Sequence, residues 1–141
     1  MQKHFFLERM TPMIEVYIDG ASAGDPGPSG AGIVIKGNGA AESFSYPLGT
    51  MSNHEAEFHA LILGLKLCVE KKYKTVSFRT DSQLVERAAE NRYAKNKLFA
   101  PLLAEAESLI DQLDLFFIKW IPSKVNPADR IAKEGIRKNE K

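Results

Sequence analysis

The alternation of apolar and polar residues near the start of the chain predicts three consecutive strands. Residues 14–19 read Ile-Glu-Val-Tyr-Ile-Asp, which is typical of a strand in a partly buried sheet. Residues 31–36 and about 41–48 flank the turn pair Asn38-Gly39, which favours a β-hairpin. The intervening residues 20–30 are so rich in glycine and proline that regular structure is not expected there. The chain therefore opens with three antiparallel strands.

Two later apolar runs predict two more strands. Residues 75–80 read Thr-Val-Ser-Phe-Arg-Thr, and residues 115–121 read Leu-Phe-Phe-Ile-Lys-Trp-Ile. The second run is too continuously apolar for an edge strand that faces water. We therefore expect it to occupy an interior position in the sheet.

Helices are predicted where apolar residues recur at helical spacing and where capping residues mark the ends. The first helix has a clear start, because Ser52 and Glu55 fit the capping box that closes helix N-termini. The last helix starts with an asparagine cap followed by proline. The predicted helices cover residues 52–70, 82–90 and 98–112, and a C-terminal segment that begins at Asn126-Pro127.

The order of these elements predicts the fold class. A hairpin start followed by helical crossovers gives an α/β fold, with a five-stranded mixed sheet of three antiparallel strands and then parallel strands, flanked by helices. Residues 13–141 are long enough to form a single domain with its own core. Residues 1–12 precede the regular pattern, and we expect them to be a loose N-terminal extension.

Composition and charge exclude few classes of function. Nineteen basic and eighteen acidic residues leave a net charge of +1, so a nucleic-acid-binding chain of this composition must segregate its charges. The single cysteine, Cys68, excludes an internal disulfide and fits the cytoplasm, and its position on the inner face of a helix favours a core thiol. No apolar run approaches the ~20 residues of a membrane span. We expect no membrane association, and a monomer is favoured.

Four carboxylates stand where a charge is costly unless something compensates it. Asp19 and Asp81 each end a predicted strand, and Asp129 lies in the first turn of the last helix. Glu57 lies one turn before Leu61, on the apolar stripe of the first helix. Converging carboxylates repel one another, and hard divalent cations bound by oxygen ligands are the usual remedy. The pattern predicts a metal-dependent enzyme that acts on phosphate esters.

Most of these carboxylates also have a simpler interpretation when taken alone. Glu57 fits a boundary residue that pairs with a nearby lysine. Asp81 fits a helix cap and Asp129 fits a charge that complements a helix dipole, each stabilising by roughly 1 kcal/mol or less. These interpretations leave Asp19 unexplained.

Four short motifs stand in order on the predicted elements. They are Tyr17-Ile18-Asp19-Gly20-Ala21-Ser22 with Gly24-Asp25-Pro26-Gly27-Pro28, then Ser52-Asn53 with Ala56-Glu57-Phe58, then Thr80-Asp81-Ser82-Gln83, and finally Asn126-Pro127-Ala128-Asp129. Each motif alone is common, but together they form a specific signal. The chain resembles type I ribonuclease H over residues 14–138, and that family has the same order of strands and helices.

The resemblance implies an endonuclease that hydrolyses the RNA strand of an RNA–DNA hybrid and leaves 3′-hydroxyl and 5′-phosphate ends. It implies two Mg²⁺ ions, with Mn²⁺ as an alternative, held by four acids in a two-metal mechanism: Asp19, Glu57, Asp81 and Asp129. It also implies that the substrate is contacted by a set of small and polar residues: Gly20, Ser22, Ser52, Asn53, Gln83 and Asn96. Arg92, Lys95 and Lys97 fit either a basic rim for nucleic acid or a solvated loop.

The chain departs from the family pattern at the loop before Asp129. Many members carry a histidine there that assists proton transfer and product release, whereas residues 121–126 contain none. His54 and His59 are interpreted as helix-surface or boundary residues. Asp25 stands where the family often has asparagine and adds a negative charge beside the expected path of the nucleic acid. We therefore expect weak substrate binding and slow turnover.

Two alternatives remain beside the nuclease interpretation. A catalytically weak or inactive nucleic-acid-binding domain that kept the fold is favoured by the missing histidine and disfavoured by the intact acids. A transposase-like or other nuclease relative with the same sheet is disfavoured by the Asp19 loop and by residues 80–83.

Overall fold

One five-stranded sheet forms the centre of the computed structural model, which describes residues 13–140. Its strands are β1 (Ile14–Ser22), β2 (Gly27–Gly37), β3 (Ala40–Met51), β4 (Thr75–Thr80) and β5 (Leu115–Trp120). Antiparallel pairs join β1 to β2 and β2 to β3, whereas β1 to β4 and β4 to β5 are parallel. The spatial order is β3-β2-β1-β4-β5, which confirms the predicted mixed sheet. The predicted extension, residues 1–12, lies outside the described residues.

Among the described residues, four α-helices connect and cover the strands, as predicted. They are α1 (Asn53–Glu70), α2 (Gln83–Asn91), α3 (Ala100–Ile110) and α4 (Ala128–Arg137), and short 3₁₀ turns cover Ser123–Val125 and Lys138–Glu140. The capping box at the start of α1 is present, because the Ser52 hydroxyl accepts from the Glu55 backbone N–H and the Glu55 carboxylate accepts from the Ser52 N–H. Within residues 13–140, no helix is long and apolar enough to cross a membrane.

The first two strands extend further than predicted. The glycine- and proline-rich stretch was expected to be irregular from residue 20 to residue 30, yet β1 continues to Ser22 and pairs there with Ser29 of β2. One of the two hydroxyls donates to the other, and both hydroxyl oxygens lie within 3.3 Å of the Met51 carbonyl oxygen, which the remaining proton can reach. These bonds tie β1, β2 and β3 together, so only residues 23–26 remain irregular.

The main core lies between the sheet and α1. Phe58, Leu61 and Leu65 of α1 are fully buried in this core, and α1 packs mainly on β1 and β2. Gly64 allows this helix to lie close to the sheet, because an added Cβ would press on the side chains of Ile18 and Phe78. Cys68 is also buried in this core, which confirms that it is a core thiol.

Helix α4 covers the opposite face of the sheet over β1, β2 and β3. Its backbone lies directly on the glycines of β2, because a Cβ at Gly32 would overlap the carbonyl of Ala128. A small second cluster joins Val34 to Ala128 and Ile131, with Tyr17 at its border. This close contact fixes the start of α4 against the central strands.

The position predicted for the last strand is wrong. β5 forms an edge of the sheet, and Leu115 and Phe117 are 53% and 47% exposed. The strand is apolar on both of its faces, although only one face is buried. Phe116 packs inward against Phe78, with ring centroids 5.4 Å apart, whereas Leu115 and Phe117 point to the opposite face. Helix α4 covers that opposite face only over β1, β2 and β3.

Replacing Gly32 by alanine should destabilise the protein by roughly 2 kcal/mol or more, because the new methyl group meets backbone that cannot rotate away. Gly37→Ala is a matched control on the same strand, since its Cβ would meet only the end of the Ile14 side chain. Urea unfolding measures both variants. Equal losses of stability in the two would contradict the backbone contact of α4.

Candidate active site

Two of the predicted acids come from neighbouring parallel strands. Asp19 belongs to β1, and Asp81 follows the last residue of β4. Ile18 and Thr80 are paired across the two strands. Because the carboxyl ends of parallel strands meet at one edge of a sheet, the side chains of Asp19 and Asp81 lie close together at that edge.

Glu57 reaches this point because Gly20 lets α1 lie directly on β1. A Cβ at Gly20 would overlap the backbone of Ala56 and Glu57 in the first turns of α1. Gly20 was predicted as a substrate contact, and the structure gives it a packing role. Its contact with substrate stays a prediction.

The three carboxylates meet at the carboxyl end of the central strand. One oxygen each from Asp19, Glu57 and Asp81 lies within 4.8 Å of the other two, which confirms the predicted convergence. Asp19 is 8% exposed and Glu57 is 9% exposed. Within the described part of the chain, no lysine or arginine nitrogen lies within 4.0 Å of these three carboxylates. Their role as ligands stays a prediction. We call them the carboxylate cluster.

Burial and mutual repulsion raise the pKa values in the carboxylate cluster. Burial, followed by the charge of Asp81 and a hydrogen bond with Asp129, raises the pKa of Asp19 to about 9. Burial also raises the pKa of Asp81, although a hydrogen bond from Asn126 opposes the shift. The cluster therefore stores unfavourable electrostatic energy that a cation would remove.

Asp129 lies beside the carboxylate cluster, in the first turn of α4. It is half-buried, and its charge contributes to the raised pKa of Asp19. Lys133, one turn later, approaches its Oδ2 to 3.1 Å. Asp129 is thus an acid at the open side of the site, next to the compact group of three.

Asn126 holds Asp81 in place and was predicted only as a helix cap. Its buried amide nitrogen donates to the backbone carbonyl of Ile18 and to Asp81 Oδ2, both at 3.0 Å. Its amide oxygen accepts from the backbone N–H of Ala128, the first residue of α4, also at 3.0 Å, although Pro127 and not Asn126 occupies the cap position of this helix. One side chain therefore joins the end of β1, Asp81 and the start of α4.

The interpretation of His54 as a surface or boundary residue is incomplete, because the structure places it in the site. Its Nδ1 lies 2.9 Å from Oε1 of Glu57. Burial raises the pKa of Glu57, and hydrogen bonds from His54 and Ser82 oppose the shift. The spacing of three residues on one helix could have indicated this contact, because side chains at that spacing are neighbours.

The predicted substrate contacts fall into two groups. The hydroxyls of Ser22 and Ser52 are engaged within the protein, in the strand contacts and the helix cap described above. Asn53 lies at the start of α1, where its N–H donates to Asp25 Oδ1 at 3.0 Å. Gln83 and Asn96 are exposed. Binding of substrate by these residues stays a prediction.

The three basic residues proposed as a rim for nucleic acid have different surroundings in the structure. Arg92 lies 3.8 Å from Glu107 of α3 and 3.9 Å from Asp111 at the end of that helix, which favours a structural role. Lys95 and Lys97 are exposed. Lys95 lines a surface groove of about 800 Å³ between α2 and the start of α3, together with Leu84, Arg87, Tyr93, Asn96 and Phe99.

Known proteins are similar to this chain over most of its length. The reverse transcriptase-like family model matches residues 17–135. The putative hydrolase EbsB of Enterococcus faecalis is 40% identical over 129 residues, which cover 89% of this chain and 96% of that protein. Ribonuclease HI of Halobacterium salinarum is 32% identical, and the alignment covers 87% of this chain and 64% of that protein.

Solved structures show the same architecture. The crystal structure of RNase H1 from Halobacterium salinarum superposes with a TM-score of 0.83 and covers 90% of this chain and 99% of that one. LC11-RNase H1 in complex with an RNA/DNA hybrid superposes with a TM-score of 0.81 at 28% identity, covering 91% of this chain and 99% of that one. The chain belongs to the ribonuclease H family.

Asp19→Asn should leave the metal-free protein at least as stable as the wild type. The pKa of Asp19 is raised in the fold, so its contribution is fully present below the ordinary value of 3.8 and is lost as the pH rises toward about 9. An uncharged asparagine avoids this loss. With chelator present at pH 7.5, we expect the variant to melt roughly 4 °C higher or more, and the difference to shrink at pH 5.

The exposed Asp111→Asn serves as the control, because it removes a charge outside the carboxylate cluster. A fall of many degrees for Asp19→Asn alone would show that Asp19 is a structural residue.

Asn126→Asp should destabilise the protein by about 3–5 kcal/mol at pH 7.5, because a buried carboxylate would face the Ile18 carbonyl and Asp81 in place of a donor. Urea unfolding measures the loss. Asn38→Asp, in the exposed turn between β2 and β3, is the control and should change stability by less than about 1 kcal/mol. Equal stabilities of the two variants would contradict the proposed role of Asn126.

Proposed function

We propose that this protein is a metal-dependent endonuclease that hydrolyses the RNA strand of RNA–DNA hybrids. One observation carries the proposal: three carboxylate oxygens lie within 4.8 Å of one another at the end of the central strand, without a neighbouring lysine or arginine among the described residues. Such a group is stable in ionised form only with a cation.

The residues fit hard divalent cations. The donors are all carboxylate oxygens, which favour Mg²⁺ or Mn²⁺ over softer metals. The raised pKa values of Asp19, Glu57 and Asp81 mark repulsion and burial that positive charge would relieve. These three acids and Asp129 would hold two ions.

The ions held by these acids would supply the positive charge that activates a water molecule and stabilises the leaving 3′ oxygen of an in-line displacement. The chain itself contributes rigid positions for the ligands. Gly20 brings Glu57 against β1, and Asn126 orients Asp81 while it holds α4, and with it Asp129, close to the site. The products would carry 3′-hydroxyl and 5′-phosphate ends.

The proposed substrate follows from the relatives. LC11-RNase H1 has been solved with an RNA/DNA hybrid on the same fold. In this chain, the irregular residues 23–26 lie beside the start of α1, because Asp25 accepts from the Asn53 N–H. The backbone here could approach the 2′-hydroxyl groups that distinguish RNA from DNA. Lys95 and Lys97 are the cations proposed to contact phosphates.

We infer slow turnover and weak, salt-sensitive binding. The loop before Asp129 is a 3₁₀ turn at Ser123–Val125, with Lys124 exposed and no histidine. A group that transfers protons typically speeds a reaction by ~10²–10⁴-fold.

A cytoplasmic monomer fits the single cysteine, which is buried and reduced in such a compartment.

Cleavage of a labelled RNA–DNA hybrid at low salt, with Mg²⁺ and separately with Mn²⁺, tests the proposal. We expect metal-dependent cuts in the RNA strand only and no cleavage of double-stranded DNA of the same sequence. Asp81→Asn should cleave at least ~10³-fold more slowly, because loss of a ligand removes several kcal/mol of charge stabilisation.

Binding of the same hybrid, measured by fluorescence anisotropy, separates the two candidate functions. Equal inactivity of wild type and Asp81→Asn, with hybrid binding intact in both, would replace the nuclease by a nucleic-acid-binding domain. Low salt is required because phosphate contacts dominate affinity and weaken steeply as salt rises.

A further inference from the structure

His54 occupies a confined position between the carboxylate cluster and the aromatic core. It is the second residue of α1, and its Nδ1 lies 2.9 Å from Glu57 Oε1. The edge of its ring meets Phe99, with centroids 6.1 Å apart and planes at 78°. Phe99 in turn stacks on Phe58 of α1, at 5.1 Å and 22°. The imidazole is therefore held on one side by a carboxylate and on the other by a buried phenyl ring.

This contact differs from an ordinary exposed ion pair. The His54 side chain is 56% exposed, but the carboxylate of Glu57 is almost fully enclosed, with a side-chain exposure of 11%. Exposed pairs on one helix contribute little, because both side chains are free to move away. Here the ring of Phe99 limits the movement of His54, and burial limits the movement of Glu57.

The hydrogen bond does not depend on the charge of the histidine. The imidazolium and the neutral tautomer with a proton on Nδ1 both donate from this nitrogen. The bond from His54 therefore restrains the rotation of the Glu57 carboxylate in both of these forms of the imidazole.

We propose that His54 is a positioning residue, whose Nδ1–H holds the Glu57 carboxylate in the orientation that a divalent cation at the carboxylate cluster requires. Phe99 fixes the imidazole ring for this purpose. The inference rests on the proposed function, since it concerns the same metal ligands. Hydrogen-bonding partners of metal ligands commonly change metal affinity by ~10–100-fold when they are removed.

Two substitutions separate the hydrogen bond from the ring. His54→Asn places an amide nitrogen where Nδ1 stands and keeps a donor, but it loses the contact with Phe99. His54→Phe keeps an aromatic ring against Phe99 and loses the donor. His54→Ala removes both groups and serves as a second variant without a donor.

The measurement is Mn²⁺ affinity of the full chain, by isothermal titration calorimetry at fixed pH, with thermal melts of the metal-free variants. We expect His54→Phe and His54→Ala to bind Mn²⁺ ~10-fold more weakly or worse. His54→Asn should stay within about threefold of wild type, because its amide can donate to Glu57.

Wild-type affinity in His54→Phe and His54→Ala, even with lowered melting temperatures, would overturn the inference and leave His54 with a structural role only. An equally weak His54→Asn would also overturn it, because the donor would then be irrelevant. Asp19→Asn distinguishes this failure from that of the proposed function. If wild type and Asp19→Asn bind Mn²⁺ alike, the metal site itself is refuted, and the inference with it.

Discussion

Repulsion among carboxylates confined at one end of the central strand is the constraint on which the rest of the structure depends. Asp19, Glu57 and Asp81 come from three elements, and each loses much of its contact with water. The fold holds them together although ionisation of all three is unfavourable without a cation. The three acids therefore lower the stability of the metal-free protein at the proposed active site, which is a common arrangement at functional sites.

Close backbone contacts make this confinement possible. Gly20 lets α1 rest on the end of β1, and Gly32 lets α4 rest on β2 from the opposite face. The two helices thus clamp the central strands from both sides, and each carries an acid to the same end of the sheet. Polar side chains then set the orientations: Asn126 for Asp81, and His54 for Glu57.

Local patterns explain which parts of the molecule could be predicted from the sequence. The capping box of α1 and the convergence of Asp19 with Asp81 follow from cues within a few residues, or from the rule that parallel strands share an edge. The exposure of β5 was missed because it depends on which strands α4 covers. The role of Asn126 was missed because its partners Ile18 and Asp81 lie on other elements. The contact of His54 with Glu57 lies within one helix, and its spacing was overlooked.

The bond from Asn126 to the carbonyl of Ile18 spans 108 positions of the chain. A chain still being synthesised that ends before this residue has its first three acids but lacks the amide that holds Asp81 and the helix that carries Asp129. The complete centre therefore requires residues 126–129, which are synthesised long after the three acids of the carboxylate cluster.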